Sequence, residues 1–486
     1  AVVVLAVLNL PPAWTGRFVD PDLDRPEDVP SWWTEAGRDL DAMPDGYRVL
    51  QVPGMEFSTY RWGHTVDPVL PGVSERPLVT RDLLPLGSPA AMDTLYALDD
   101  RFQAGVAERA AVGPVARLFG ADTVLVTPET AFERYQTPRP EATWELLGNE
   151  GEAADGLGAP VPYGDEHPNL APAAPAAAAM VDEEALALEA EGTLGEAVPP
   201  LALIPVEDPE PIVRAGVGTV VVSGSGDGVV DAAAAGLVDG HRTIRYAAAT
   251  DDLAAAGDEA DLVVATDSNR VRARQWRGSQ DVSGFTEDGE HDGLREEDAA
   301  DHRLEVFPDE GEANVTTAHQ VGPLRATASA YGEPNAYRPE VRAAMAIDGD
   351  PATAWVVADR ADPLGQRLRI DADEPVDEFT VLQGCIPHAT RWITEVRLTT
   401  SSGEDRTFAL TEASRTGEGQ SVALEAPADW WQLEITGTNV APAAAYPNQG
   451  PVGFAEVTTP LGPTHEVVEL PTDVLDAATS DTPLAI

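Results

Sequence analysis

ATASAYGEPNAYRPEVRAAMAIDGDPATAWVV, residues 326–357, opens the part of the chain where the sequence pattern becomes specific. Downstream of it come RLRIDAD (367–373), EFTVLQ (378–383), TEVRLTT (394–400) and WWQLEIT (430–436). Each run alternates apolar and polar residues with a period of two, and turn residues separate the runs. Strands with one buried face read this way, so the succession predicts an antiparallel β-sandwich over residues 311–462. Asp348-Gly349-Asp350 within the quoted stretch reads as a tight turn.

The pattern changes immediately upstream. GTVVVSG (218–224), RTIRYAA (242–248) and DLVVAT (261–266) are apolar runs, with GVVDAAAAGLV (228–238) and DDLAAAG (251–257) as helices between them. Strand and helix in alternation predict a doubly wound α/β domain with a parallel sheet and right-handed crossovers, over 201–310. Gly224, Gly226 and Gly228 stand at the first strand-to-helix turn. They miss the dinucleotide fingerprint because Val229 occupies the third glycine position, and they are read as allowing a tight turn. Ser225 does not fit a nucleophile elbow, since Ser223 stands where a glycine is needed. Arg270, Arg272, Arg274 and Arg277 surround Trp276, a cationic cluster suited to a phosphate or an acidic partner, or to local ion pairs.

Residues 149–200 include NLAPAAPAAAAM and read as an Ala/Pro-rich acidic linker. Before it, residues 31–148 read as another α/β domain. YRVLQV (47–52) and DTVLVT (122–127) are strands, and Met92, Leu95, Tyr96, Leu98, Phe102 and Val106 recur at helical spacing over 90–110. The intervening loop carries Tyr60, Arg61, Trp62 and His64, with Arg76 and Arg81 further on. Rings and guanidinium groups of this kind stack on a sugar and grip hydroxyls or a phosphate; the other reading is a Pro-rich surface loop pinned by Trp62. AVVVLAVLNL at the start, followed by Pro11, Pro12 and Trp14, is expected to be the outer end of a transmembrane helix, leading through a connector to residue 30. Residues 463–486 are expected to begin a further segment.

Composition narrows the function. The 486 residues carry 83 acidic and 31 basic side chains, every basic one an Arg, for a formal charge of −52. Such a field repels phosphate backbones, so a nucleic-acid partner is excluded. One cysteine, Cys385, allows neither an internal disulfide nor a thiolate metal cluster.

AIDGDPATAW (346–355), RWITEVRL (391–398) and GFAEV (453–457) resemble, in order, the discoidin-like (factor 5/8 type C, galactose-binding-like) jelly-roll modules. The resemblance implies that Trp355 and Trp392 are core residues. It also implies a structural Ca²⁺ on Asp348, Asp350 and Thr353 with Glu456, hard oxygen donors that suit the ion. Ligand loops in such modules lie at one end, here Tyr331–Tyr337, Gly384–Arg391 and Val440–Gly450, making Tyr337, His388, Arg391, Tyr446 and Asn448 the candidate carbohydrate contacts.

The order of parts resembles a second family over nearly the whole chain outside the linker. NLPPAWTGRFVDPDLDRPEDVPSWW (9–33), YRWGHTVDPVLPGVSERPLVTRDLLPLGSP (60–89), ARLFGADTVLV (116–126), YQTPRP (135–140) and PVEDPEPIVRAG (205–216) look like the soluble region of the large actinobacterial arabinofuranosyltransferases of cell-wall arabinan synthesis. The resemblance implies a polytopic glycosyltransferase using polyprenyl-phosphate arabinose. It makes 31–148 a membrane-proximal domain facing the extracytoplasmic side, joined to the membrane through a missing upstream domain. The catalytic carboxylate of that family lies in the membrane-embedded part, so no catalytic residue is assigned here. The expected role is an accessory region holding an arabinan-type acceptor, with Tyr60, Arg61, Trp62 and His64 facing acceptor or donor. Two other classes stay open: a non-catalytic envelope polysaccharide-binding or structural protein, and a secreted glycoside hydrolase with a binding module. A retaining hydrolase needs two carboxylates about 5–5.5 Å apart, which a chain this acidic does not exclude.

Overall fold

Arg48–Val52 and Ala121–Val126 are short apolar runs whose side chains are almost all buried, as a central parallel strand requires. In the computed structural model they pair in parallel, Leu50 opposite Val124 and Val52 opposite Val126. The structure describes residues 28–55, 57–81, 87–132, 138–149, 155–169, 197–270, 272–274, 281–283, 286–287, 303–304, 306–307, 311–332, 338–357, 362–383, 391–440, 450–480 and 482–486. The expected transmembrane helix end lies outside these. Among the described residues no helix is long and apolar enough to cross a membrane.

Contacts divide the chain into two units, one of Ala1–Val217, Val230–Thr243 and Arg277–Ser279, the other of Gly218–Val229, Ile244–Trp276 and Gln280–Ile486. The first unit is built on a five-stranded sheet in the order Leu78–Val79, Arg48–Val52, Ala121–Val126, Leu201–Pro205, Val161–Tyr163. The first three strands pair in parallel, and Leu201–Pro205 runs antiparallel to both of its neighbours. Two boundaries expected from sequence are therefore corrected. Leu201–Pro205 does not open the next domain, and Val161–Tyr163 does not belong to a linker. Both are buried or paired parts of this sheet, which the apolar run LALIP completes by covering Thr123–Val126. The helix expected over 90–110 is two helices, Pro89–Gln103 and Arg109–Leu118. Gly105, at φ 68°, takes the left-handed conformation that ends the first. Val106 thus falls beyond the apolar stripe and is exposed, while Leu95, Tyr96, Leu98 and Phe102 are buried.

In the second unit, Thr219–Ser223 and Leu262–Ala265 pair in parallel, Val221 opposite Val263, in a four-stranded sheet ordered Thr243–Tyr246, Thr219–Ser223, Leu262–Ala265, Leu484–Ala485. Residues 463–486 are not the start of something separate. Leu484–Ala485 extends this parallel sheet, Val474 fills its core, and His465–Glu469 pairs with Thr317–Val321.

The glycine turn is explained by what fills it. Ser268 Oγ accepts from the Ser225 and Gly228 N–H groups at 2.9 and 3.0 Å, and Ser225 Oγ donates to the Ser268 carbonyl at 2.6 Å. A Cβ on Gly224 (φ 146°) would lie 2.1 Å from Thr266 Oγ1, and one on Gly228 would lie 2.5 Å from it. The glycines admit the Thr266 and Ser268 side chains, whose oxygens lie where a Cβ would stand.

Apart from Thr317–Val321, the strands over 311–462 form a seven-stranded antiparallel sheet ordered Trp355–Val357, Val452–Thr458, Arg367–Gln383, Gln420–Thr438, Ile393–Thr400, Asp405–Ala409, with Leu324–Ala328 beside Arg367–Gln383. RLRIDAD and EFTVLQ are one strand rather than two. One of its edges pairs with Gln420–Thr438 along most of its length, across register shifts between Asp371 and Glu378. The other edge pairs first with Leu324–Ala328 and then with Val452–Thr458. Sharing one edge between two partners lets the sheet wrap around a single core, in which Phe379 stacks on Trp431 (5.3 Å) and Trp355 on Phe454 (5.8 Å). Trp355, fully buried and donating its indole N–H to the Ala330 carbonyl at 3.0 Å, is the core residue the sequence predicts.

Candidate functional site

In the first unit the aromatic loop forms a hairpin, Ser58–Tyr60 with Gly63–Val66. Tyr60 does not face a ligand. It is 3% exposed, edge-on to Trp33 (5.5 Å) and stacked on Trp62 (5.2 Å, 5°), and burial pushes its phenol well above the ordinary range. The correction follows from the strand Ser58–Tyr60 being buried at every residue, with Tyr60 in the core that Trp33, Ala36 and Leu40 of helix Ser31–Asp41 also enter. Trp62, Arg61 and His64 are half-buried around it. Arg61 reaches Asn169 through Nε and lies 5.3 Å over Phe132. Arg76 and Arg81 are buried and engaged in ion pairs, with Asp122 (2.5 Å) and Asp99 (3.1 Å) respectively.

A carboxylate that sequence reading did not single out stands in the same cluster. Glu129, 5% exposed, accepts from the Trp32 indole at 3.1 Å, and His167 Nε2 lies 3.9 Å from its other oxygen. Burial pushes its pKa up to about 7, against the hydrogen bond from Trp32 and the Arg61 charge. Asn169 ties the surrounding loop down by donating to the Pro128 and Thr130 carbonyls at 2.6 and 2.8 Å. No local pattern marks Glu129, since Trp32 is 97 residues away in the chain.

In the second unit the acidic turn is brought together as the sequence suggests. Asp348 accepts from the Asp350 N–H at 2.9 Å and the Thr353 hydroxyl at 2.7 Å, and Asp350 accepts from the Ala352 N–H at 2.9 Å. Glu456 returns from the strand Val452–Thr458 to join them. Burial, then the charge of Asp348, push its pKa up to about 7, and its buried Oε1 has no hydrogen-bond partner. Hard oxygen donors with one oxygen unsatisfied suit a cation such as Ca²⁺. Among the described residues, however, no group of three or more His, Cys, Asp or Glu is arranged to hold a metal, because the turn closes on its own hydrogen bonds.

Tyr337, His388, Tyr446 and Asn448 lie outside the described residues. Arg391 is described and is 7% exposed, so its side chain is buried rather than offered to a sugar. Trp392, expected in the core, is instead 36% exposed with the Arg415 guanidinium 4.4 Å over its ring. The strand begins at the fully buried Ile393, and Trp392, one residue before it, lies on the other side. Of the Arg cluster, Arg270 pairs with Asp267 at 2.6 Å, the local ion pair. Arg272–Arg274 is a strand paired with Asp281–Ser283, and Arg277 lies outside the described residues.

Comparison with known proteins places this arrangement. Residues 1–300 match the family described as "Alpha-(1->3)-arabinofuranosyltransferase, N-terminal GT-C domain". The chain belongs to this arabinofuranosyltransferase family. It is 28% identical over 416 residues to the alpha-(1->3)-arabinofuranosyltransferase of Mycobacterium tuberculosis, and 25% identical over 417 residues to that of Mycolicibacterium smegmatis. Each match covers 82% of this chain and 27% of the relative, so the chain spans about a quarter of the length of these curated relatives. A mutant form of arabinofuranosyltransferase AftD from Mycobacteria, solved by cryo-EM, shares the fold over 96% of this chain and 36% of its own, with TM-score 0.64 at 20% identity. The resemblance drawn from the sequence segments is thus a family membership.

Proposed function

We propose that this chain is an extracytoplasmic accessory region of a membrane arabinofuranosyltransferase of cell-wall arabinan biosynthesis, and that it holds the glycan acceptor for a transferase site elsewhere in the protein. The observation that carries the reading is the family match over residues 1–300, which includes the Trp32–Trp62–Glu129 cluster. The full-length protein takes polyprenyl-phosphate arabinose as donor and meets the membrane through its upstream part. Trp62, Arg61 and His64, backed by Glu129, form the acceptor- or donor-facing surface of the first unit. The seven-stranded module is a discoidin-like carbohydrate-binding domain, its glycan end near Trp392. A Ca²⁺ on the acidic turn would have to replace the turn's own hydrogen bonds; Asp348, Asp350, Thr353 and Glu456 would hold it, satisfying the unpartnered Glu456 oxygen and tying the turn to the strand Val452–Thr458. When bound, the ion supplies charge neutralisation and rigidity rather than chemistry.

Incubating the purified chain with polyprenyl-phosphate arabinose and an arabinan acceptor tests the reading. No product is expected, because transfer takes place outside this chain. Measurable turnover by the chain alone overturns that placement.

A further inference from the structure

The exposed indole of Trp392 is a built platform rather than a packing leftover. Its neighbour Ile393 is fully buried, so the strand directs Trp392 outward. Asn439 clamps its backbone from both sides: the Trp392 N–H donates to Asn439 Oδ1 at 2.8 Å, and the Asn439 N–H donates to the Trp392 carbonyl at 3.1 Å. Arg415, which covers the ring at 4.4 Å, ends the turn Glu412–Arg415. That turn is fixed by Ser414, fully buried, which accepts from Gln383 Nε2 at 2.8 Å and donates to the Thr411 carbonyl at 2.7 Å. Both halves of the stack are therefore held before any ligand arrives, which lowers the ordering cost of binding.

We infer that Trp392 and Arg415 form a sugar-binding subsite for a neutral glycan. A ring of a neutral sugar packs its C–H face on the part of the indole that Arg415 leaves exposed, and the guanidinium beside it donates to its hydroxyls. An anionic ligand is disfavoured by the −52 charge of the chain and by Glu412 and Glu418 flanking Arg415 in sequence. The inference rests on the reading of this module as glycan-holding and adds the residues that do it.

Its test is a titration of the whole chain, selectively ¹⁵N-labelled at tryptophan, with a synthetic α-linked arabinofuranosyl hexasaccharide. Trp392→Phe identifies the Trp392 indole resonance by its loss. That resonance is expected to shift progressively with ligand. Affinity of each variant is read by calorimetric titration with the same hexasaccharide: Trp392→Ala should weaken binding at least 10-fold, Arg415→Gln about 3-fold, and Trp392→Phe less than Trp392→Ala, while the remaining indole resonances of the three unliganded variants keep the parent's positions as a check on the fold. If the hexasaccharide shifts other resonances while Trp392 stays still, the platform is wrong and the glycan-holding reading survives. If no resonance moves at 10-millimolar ligand, on the order of −3 kcal/mol, both fall together.

Discussion

Glu129 is the residue whose chemistry is set most firmly by its surroundings. Its pKa near 7 means the folded chain keeps a proton that the unfolded chain releases near 4.5. Its contribution to stability is full below pH 4.5, declines as pH rises to 7, and is a constant penalty above that. Glu129→Gln keeps an acceptor for the Trp32 indole and removes the charge. The variant should be more stable than the parent at pH 8, by about 1–3 kcal/mol, with the difference vanishing toward pH 4.5. Melting both proteins at pH 5 and pH 8 checks this, and equal melting points at pH 8 would count against a buried, strained carboxylate. The acidic turn makes a second expectation. Adding Ca²⁺ should raise the melting point by mass action, a chelator should reverse the rise, and Asp350→Ala should abolish the response; a melting point indifferent to both removes the metal. Asp348, Asp350 and Thr353 were legible because they sit within six residues of one another, and Glu456 because the resemblance to the discoidin-like modules supplied it. Glu129 was not, because its partners Trp32 and His167 come from distant parts of the chain and leave no spacing to read.

At the scale of elements, apolar runs and periodicity locate the central strands of the main sheets but neither their ends nor most of their edge partners. The strand at 367–383 reads as two in the sequence because Pro375 and the acidic residues near it resemble a turn, whereas the fold absorbs them in a register break. LALIP at 201–205 was assigned forward because it follows a Pro-rich segment. Its apolar run marks a buried strand without saying which sheet completes it. The close approach of Val452–Thr458 to Trp355–Val357 was equally invisible, and it rests on Gly453. A Cβ there would lie 1.7 Å from the Trp355 carbonyl oxygen, a backbone atom that no side-chain rotation moves away. Gly453→Ala should therefore destabilise the sandwich by about 3 kcal/mol or more. Chemical denaturation monitored through the sandwich tryptophans measures it, and a cost below about 0.5 kcal/mol would show that the two strands separate more easily than the packing implies.

For the molecule as a whole, the distributed segments indicate the family but do not reveal that residues 463–486 complete a sheet begun more than two hundred residues earlier. Parallel strands brought together over such separations carry no local mark of their partner. The central claim is that this chain holds a neutral cell-wall glycan. Calorimetric titration of the intact chain with a purified arabinan fragment measures it directly. The account predicts saturable binding with Kd in the high micromolar to millimolar range, roughly −4 to −6 kcal/mol, unaffected by competing inorganic phosphate. Absence of any saturable heat at millimolar arabinan, or displacement of the glycan by phosphate, would contradict it.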